Sequence, residues 1–280
     1  MASTYTSIGC GLASAFTWGV GDFTGGMAAK KANVFGVIAV AHGADVLLMV
    51  VVALLMREPY CTAHEMWWGV ASGVVNGFAL AALYTSLSSG TMSIAAPLSA
   101  VLAATIPVVY GALSQGLPKP LQIAGFVLAA ISILLLSFPS GGVGKPKGML
   151  LAILAGLGFG FFFIALHKAT VHSYLWPSSA SRFASALVAF CLLLGSRGVV
   201  PTRGRILWLT LASGIFDLGG NLLFVAADHL GRVDIAAMLA SLYPGGTVLL
   251  ARVLLKERVS RTQEIGIFTA LVAVAMIAKS

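Results

Sequence analysis

"IGCGLASAFTWGVGDFTGGMAA", residues 8–29, holds one charge, Asp22, in an otherwise uncharged stretch. A helix needs about twenty mainly apolar residues to cross a ~30 Å hydrocarbon core. The rest of the chain repeats this pattern. Of 280 residues, 59% are hydrophobic and 9% are charged, and the mean hydropathy is +0.97. A soluble globular domain carries about 25% charged residues, so this composition cannot cover a water-facing surface. The chain reads as an all-α integral membrane protein. Ten spans are predicted, at 7–29, 33–56, 66–88, 92–115, 120–138, 148–167, 176–196, 206–227, 233–254 and 262–278. Backbone groups in lipid must be satisfied within their own segment, which requires helices. The runs are too long and too evenly apolar for the alternating strands of a barrel.

Other classes fall away on the same residues. No Lys or Arg precedes the first span and its apolar run is long, so it reads as a span rather than a cleavable signal peptide. The formal net charge is +8, but the basic residues are scattered through short loops, which argues against a nucleic-acid partner. Cys10, Cys61 and Cys191 have neither metal spacing nor the even number of a disulfide framework. Gly141-Gly142-Val143-Gly144, followed by Lys145, Pro146 and Lys147, reads as a linker and not a phosphate loop, because proline follows the lysine. No metal or cofactor is expected. The expected partners are a small-molecule substrate and the lipid bilayer, with the chain acting as a monomer or homodimer.

Slid on itself by 141 residues, the chain matches without a gap. Trp67 falls on Trp208, Ala71-Ser72-Gly73 on Ala212-Ser213-Gly214, and Gly19 on Gly160. Gly90 and Ile94-Ala95-Ala96 fall on Gly231 and Ile235-Ala236-Ala237, and Gln122 and Gly125 on Gln263 and Gly266. Each half then holds five spans. An odd number inverts the second half relative to the first, a plan in which secondary transporters place the substrate site near the midplane between repeats. The expected organisation is a first five-helix repeat at 1–140, a linker at 141–147 and a second repeat at 148–280.

Three stretches carry a family resemblance: "AFTWGVGDF" at 15–23, "SIAAPLSAVLAATIPVVYGAL" at 93–113, and "GRVDIAAMLASLYPGGTVLLARVLLKERVSRTQEIG" at 231–266. They resemble the drug/metabolite transporter superfamily, EamA-type, over nearly the whole chain. The third stretch is the most specific, with Pro244, Lys256-Glu257-Arg258, Gln263 and Gly266. The first half departs from the pattern at Gly116, where the family often has a glutamate. The resemblance implies ten helices in two inverted five-helix repeats around a central cavity. It also implies export of amino acids or other small metabolites.

Ionisable residues inside a span cost roughly 2.5–3.5 kcal/mol each on insertion scales and normally face a bundle interior or wet cavity. The candidates for a substrate site are Asp22, His42, Asp45, Arg182 and Asp217, with Asn76 and Asn221 as uncharged companions. His42 and Asp45 are three residues apart, and Asp217 and Asn221 four, so each pair shares a helix face. Asn76 and Asp217 are equivalent under the offset, as are the aromatics Trp18 and Phe159; Tyr243 lies near the middle of the ninth span. Each candidate has a structural alternative. Asp22 has Lys30 within reach, His42 and Asp45 have each other, Arg182 has the headgroups, and the aromatics have packing or lipid. Gly69, Gly73 and Gly77, and likewise Gly21 with Gly25 and Gly156 with Gly160, repeat at the spacing that lets helix backbones approach. Pro97, Pro107 and Pro244 interrupt the backbone ladder inside the fourth and ninth spans.

With no nucleotide-binding motif, a transporter reading needs a gradient or an exchange partner, and a carboxylate in a partly dry site can bind and release a proton. Asp217 and Asp22 are the candidates. The competing classes are a channel, a membrane scaffold, or an intramembrane enzyme built on His42, the one histidine deep in a span. Basic residues number six on the side of the N terminus and eleven on the other, which favours termini outside. The family resemblance implies cytoplasmic termini, so the sequence leaves sidedness open.

Overall fold

The computed structural model describes residues 2–88, 92–136, 149–246, 250 and 260–279. Among the described residues there are ten helices and no strand. They are α1 (Ala2–Ala29), α2 (Val34–Leu55), α3 (Ala63–Ser88), α4 (Met92–Ser114), α5 (Pro120–Leu136), α6 (Met149–Ala169), α7 (Leu175–Leu194), α8 (Gly204–Leu230), α9 (Val233–Ala240) and α10 (Arg261–Ala278). By length and composition α2, α3, α6, α7 and α8 can each cross a membrane. The expected linker at 141–147 and the Lys256-Glu257-Arg258 stretch lie outside the described residues.

The burial pattern is that of a protein in lipid. Leu47, Leu55, Leu113, Phe183 and Phe268 are exposed, while Arg182, His42, Asp45 and Asn76 are buried. Apolar side chains face outward because the surrounding medium is apolar, and the charges collect where protein can solvate them. Trp67 and Trp208, equivalent under the 141-residue offset, are both 72% exposed, near the starts of α3 and α8. Amphipathic rings favour the membrane–water boundary, and these two helices run in opposite directions if the halves are inverted.

Helix pairing has an internal symmetry. The main contacts are α1 with α8, α3 with α6 and α7, α2 with α7 and α8, α4 with α6 and α9, α1 with α9, and α5 with α10. Exchanging α1–α5 for α6–α10 in order maps this set onto itself: α1–α8 becomes α6–α3, and α4–α6 becomes α9–α1. Small details follow the same exchange. Gln122 accepts the Lys119 N–H at the start of α5 (2.9 Å), and Gln263 accepts the Ser260 N–H at the start of α10 (3.0 Å). Gly73 lies so close to α7 that a Cβ there would fall on the Ser181 carbonyl. Its equivalent, Gly214, lies against α2, where a Cβ would stand 3.0 Å from the Ala41 carbonyl oxygen.

The ninth span is broken just before Pro244, the proline that the sequence marks as interrupting its ladder. The helix expected over 233–254 stops at Ala240, turns at Ser241 and Leu242, and resumes a helical turn at Tyr243–Gly246. The Leu242 N–H bonds to the Leu239 carbonyl (3.1 Å) in the tighter three-residue pattern. Pro244 supplies the reason, because it has no N–H to continue the ladder. Tyr243 therefore sits at the break, where irregular backbone lines a cavity.

Candidate functional site

Helices α1, α3, α4, α6 and α8 and the broken ninth span enclose a cavity of about 50 Å³. Its walls come from both halves at equivalent positions. Trp18 and Asp22 on α1 answer to Phe159 and Phe163 on α6, and Asn76 and Leu80 on α3 answer to Asp217 and Asn221 on α8. All eight line the cavity. Within each helix the two are four residues apart, one turn, and so share a face. The positions match across the halves but the chemistry does not: one half presents Trp, Asp, Asn and Leu, the other Phe, Phe, Asp and Asn.

Packing fixes the aromatic side of the site. The Trp18 ring lies 5.5 Å from that of Phe163 and 6.1 Å from that of Phe224, and its indole N–H donates to the Asp217 carbonyl oxygen at 3.2 Å. Asp22 lies on the far side of that turn, facing the Tyr84 hydroxyl of α3. Among the described residues no Lys, Arg or His is ion-paired with Asp22, and the expected alternative of a bridge to Lys30 does not form. Asn221 is buried, and its Oδ1 has no hydrogen-bond partner.

Behind Asp217, one layer from the cavity, lies a buried charge cluster. Arg182 is 2% exposed, so it does not reach the headgroups as its place near the start of α7 allowed. Its Nη1 donates to Asp217 Oδ2 in a short ion pair and to His42 Nε2 at 2.9 Å, and its Nε stands 4.0 Å from Asp45 Oδ2. His42 Nε2 also stands 3.2 Å from Asp217 Oδ2, and its Nδ1 lies 2.8 Å from Ser185 Oγ. The pairing expected within α2, His42 with Asp45, is replaced by pairing across helices. His42, Asp45 and Asp217 bring possible metal-ligand atoms within 4.8 Å of one another, but the Arg182 guanidinium supplies the positive charge there. Thus Trp18, Asp22, Asn76, Phe159, Asp217, Asn221 and Tyr243 line the cavity, and His42, Asp45 and Arg182 back it.

Sequence reasoning missed Phe163, Leu80, Tyr84 and Ser185. The repeat offset pointed to the first two, since Phe163 is the equivalent of Asp22 and Leu80 of Asn221. Tyr84 and Ser185 had no comparable signal.

The serine beside a histidine raises the enzyme alternative directly, but Ser185 is fully buried and is not part of the central cavity's lining.

A helical bundle of this hydropathy, enclosing a small aromatic and charged cavity, defines a multi-pass membrane protein with a central cavity. Residues 146–279 match the model of the EamA-like transporter family. That match spans just under half of the chain, and the family it points to is one of small-molecule membrane transporters within the drug/metabolite transporter superfamily. The uncharacterized protein MJ1333.1 of Methanocaldococcus jannaschii is 26% identical over 133 residues, 48% of this chain and 94% of that protein. Nearly all of that relative therefore corresponds to about half of this chain. A protein of known crystal structure superposes with a TM-score of 0.78 at 18% identity, covering 96% of this chain and 95% of its own, and so shares the fold.

Proposed function

We propose that the protein is a secondary transporter that exports amino acids or similar small metabolites across the cell's inner membrane by alternating access. Residues 1–140 and 148–280 act as two inverted five-helix repeats joined at 141–147. The observation that carries this reading is the lining of one cavity by four pairs of residues 141 apart. A site on the axis between repeats opens to either side when one repeat rocks against the other. The relative that matches only half of this chain supports the half as a unit.

The cavity as it stands, about 50 Å³, is below the ~300–1,000 Å³ of small-molecule sites. Loading a metabolite therefore requires the walls to part. Asp22, Asn76, Asp217 and Asn221 hold the polar end of the substrate, and Trp18, Phe159 and Tyr243 set its shape. Asp22 and Asp217 are the residues that bind a coupling proton or exchange charge with the substrate. His42, Asp45 and Arg182 fix the orientation and charge of Asp217.

Purified protein in proteoliposomes tests the reading. A carrier gives saturable flux and counterflow, in which unlabelled substrate on one side drives labelled substrate uphill from the other. Flux that is linear in concentration and lacks counterflow indicates a channel and defeats the proposal.

A further inference from the structure

A second cavity, of about 620 Å³, lies outside the central one and shares no lining residue with it. Its walls come from the end of α2, the start of α7 and the last turns of α8. Each of these helices is long and apolar enough to cross a membrane, so a cavity at their ends lies at a membrane surface. Along α8 the lining runs from Leu222 through Val225 and Ala226 to His229 and Leu230. At 1.5 Å per residue, His229 stands about 10 Å nearer that surface than Leu222. The polar linings are Arg57, Glu58, His172, Tyr174 and His229, in or beside the connections at this end, and the inner wall is apolar.

Arg57 stands apart from its neighbours in backbone conformation. Among the described residues it is the one non-glycine with a left-handed φ, 52°. It closes α2: the Arg57 N–H bonds to the Leu54 carbonyl at 3.2 Å and the Glu58 N–H to the Ala53 carbonyl at 3.0 Å, the paired bonds of a Schellman cap. Glycine is the usual residue there because it has no Cβ. The turn gains nothing from arginine. What arginine adds is a cationic side chain that lines the cavity and has no ion pair among the described residues. The carboxylate beside it is committed elsewhere. Glu58 accepts the Tyr174 N–H at 2.6 Å and the Leu175 N–H at 3.0 Å, which sets its charge against the N-terminus of α7. His172 is held by Glu65 at 3.1 Å, and the His229 ring packs edge-on against Tyr174 at 4.8 Å. The α2–α3 and α6–α7 connections are thereby tied together beside a free guanidinium.

We propose that this cavity binds an anionic phospholipid of the surrounding bilayer. Arg57 holds the phosphate, the Tyr174 hydroxyl and the His229 ring are further donors, and an acyl chain lies along Leu222, Val225 and Ala226. Guanidinium matches phosphate with two parallel N–H···O bonds. A soluble phosphate leaves the apolar wall uncovered. A zwitterionic lipid carries its own cation beside the phosphate, in competition with Arg57. The bound lipid joins the ends of α2, α7 and α8, so the stability of the protein depends on the charge of its lipids. The site is separate from the central cavity and does not rest on the transporter reading.

The test uses the full chain, stripped of lipid in a neutral detergent and then given dioleoylphosphatidylglycerol, dioleoylphosphatidylcholine or glycerol phosphate. Tm and the lipid retained in native mass spectrometry are the readouts. Phosphatidylglycerol should raise Tm more than phosphatidylcholine and be the lipid retained, and glycerol phosphate at equal concentration should do neither. Arg57→Gly should weaken phosphatidylglycerol binding at least about tenfold. Its Tm in phosphatidylcholine should stay at or above that of the wild type, because glycine accepts the left-handed turn. Arg57→Lys keeps the charge and should keep part of the phosphatidylglycerol effect. Equal effects of the two lipids, or wild-type phosphatidylglycerol binding in Arg57→Gly, overturn the proposal. A glycerol phosphate effect that matches phosphatidylglycerol overturns the lipid as occupant. A lower Tm of Arg57→Gly in phosphatidylcholine makes Arg57 a structural residue and overturns its role as the phosphate ligand.

Discussion

Replacing Arg182 by glutamine removes the cation of the buried cluster while keeping much of its length and a hydrogen-bonding end. Asp45, 2% exposed, loses its nearest positive charge, and its Oδ2 has no hydrogen bond to fall back on. The Asp217 side chain is 24% exposed toward the cavity and retains some solvation. Removing one partner of a buried pair costs about 3–5 kcal/mol, and the partial exposure of Asp217 places the value near the lower end. For a chain of this length that corresponds to a fall of about 6–10 °C in Tm, measured on purified protein in one detergent at one pH. The double variant Arg182→Gln with Asp45→Asn should recover at least half of the loss, because the stranded charge is gone. A fall of less than about 2 °C in the single variant, or no recovery in the double, would refute the claim that Arg182 is held as the counter-ion of these carboxylates.

Further expectations concern packing, charge and shape. Gly73→Ala puts a methyl group onto the Ser181 carbonyl of α7, and should destabilise by about 1–3 kcal/mol or more, read as a lower Tm and lower yield. Asp22→Asn should abolish coupled flux or its pH dependence while folded protein stays in the membrane; wild-type flux with wild-type pH dependence would make Asp22 structural. Trp18→Ala and Tyr243→Ala should change the relative rates of different substrates more than they change expression, and unchanged preference in both would remove these rings from the recognition surface.

Much of this molecule was legible in the sequence because the membrane simplifies the code. Lipid demands long apolar helices, so the spans followed from run length, and the 141-residue offset paired Asn76 with Asp217 and Trp18 with Phe159 before any coordinates. The ninth span shows the limit of hydropathy, which is blind to the backbone: Pro244 marked an interrupted ladder, but the apolar run itself did not say that the helix would stop at Ala240 and turn at Ser241 and Leu242. The charge cluster was only half legible. Span depth marked His42, Asp45, Arg182 and Asp217 as expensive residues needing partners, but local spacing offered only the His42–Asp45 pairing within α2. The actual partners come from α7 and α8, and the contact that orients His42 is made by Ser185, one serine among many. Long-range pairing between helices of similar composition leaves no trace in spacing. The repeat provides one where both halves share a position, which is why Phe163 was recoverable and Ser185 was not.

The central claim, a cavity between two repeats that faces each side of the membrane in turn, is tested most directly by the accessibility of one residue in its wall. Ala103 lines the cavity on α4 and is 1% exposed. Ala103→Cys, in a background where Cys10, Cys61 and Cys191 are replaced, gives a single thiol there. The account predicts that a membrane-impermeant thiol reagent labels it slowly from either side in sealed vesicles, and that transported substrate alters the labelling rate from both. Labelling from one side alone under every condition, or rapid labelling from both with no effect of substrate, would contradict alternating access at this site.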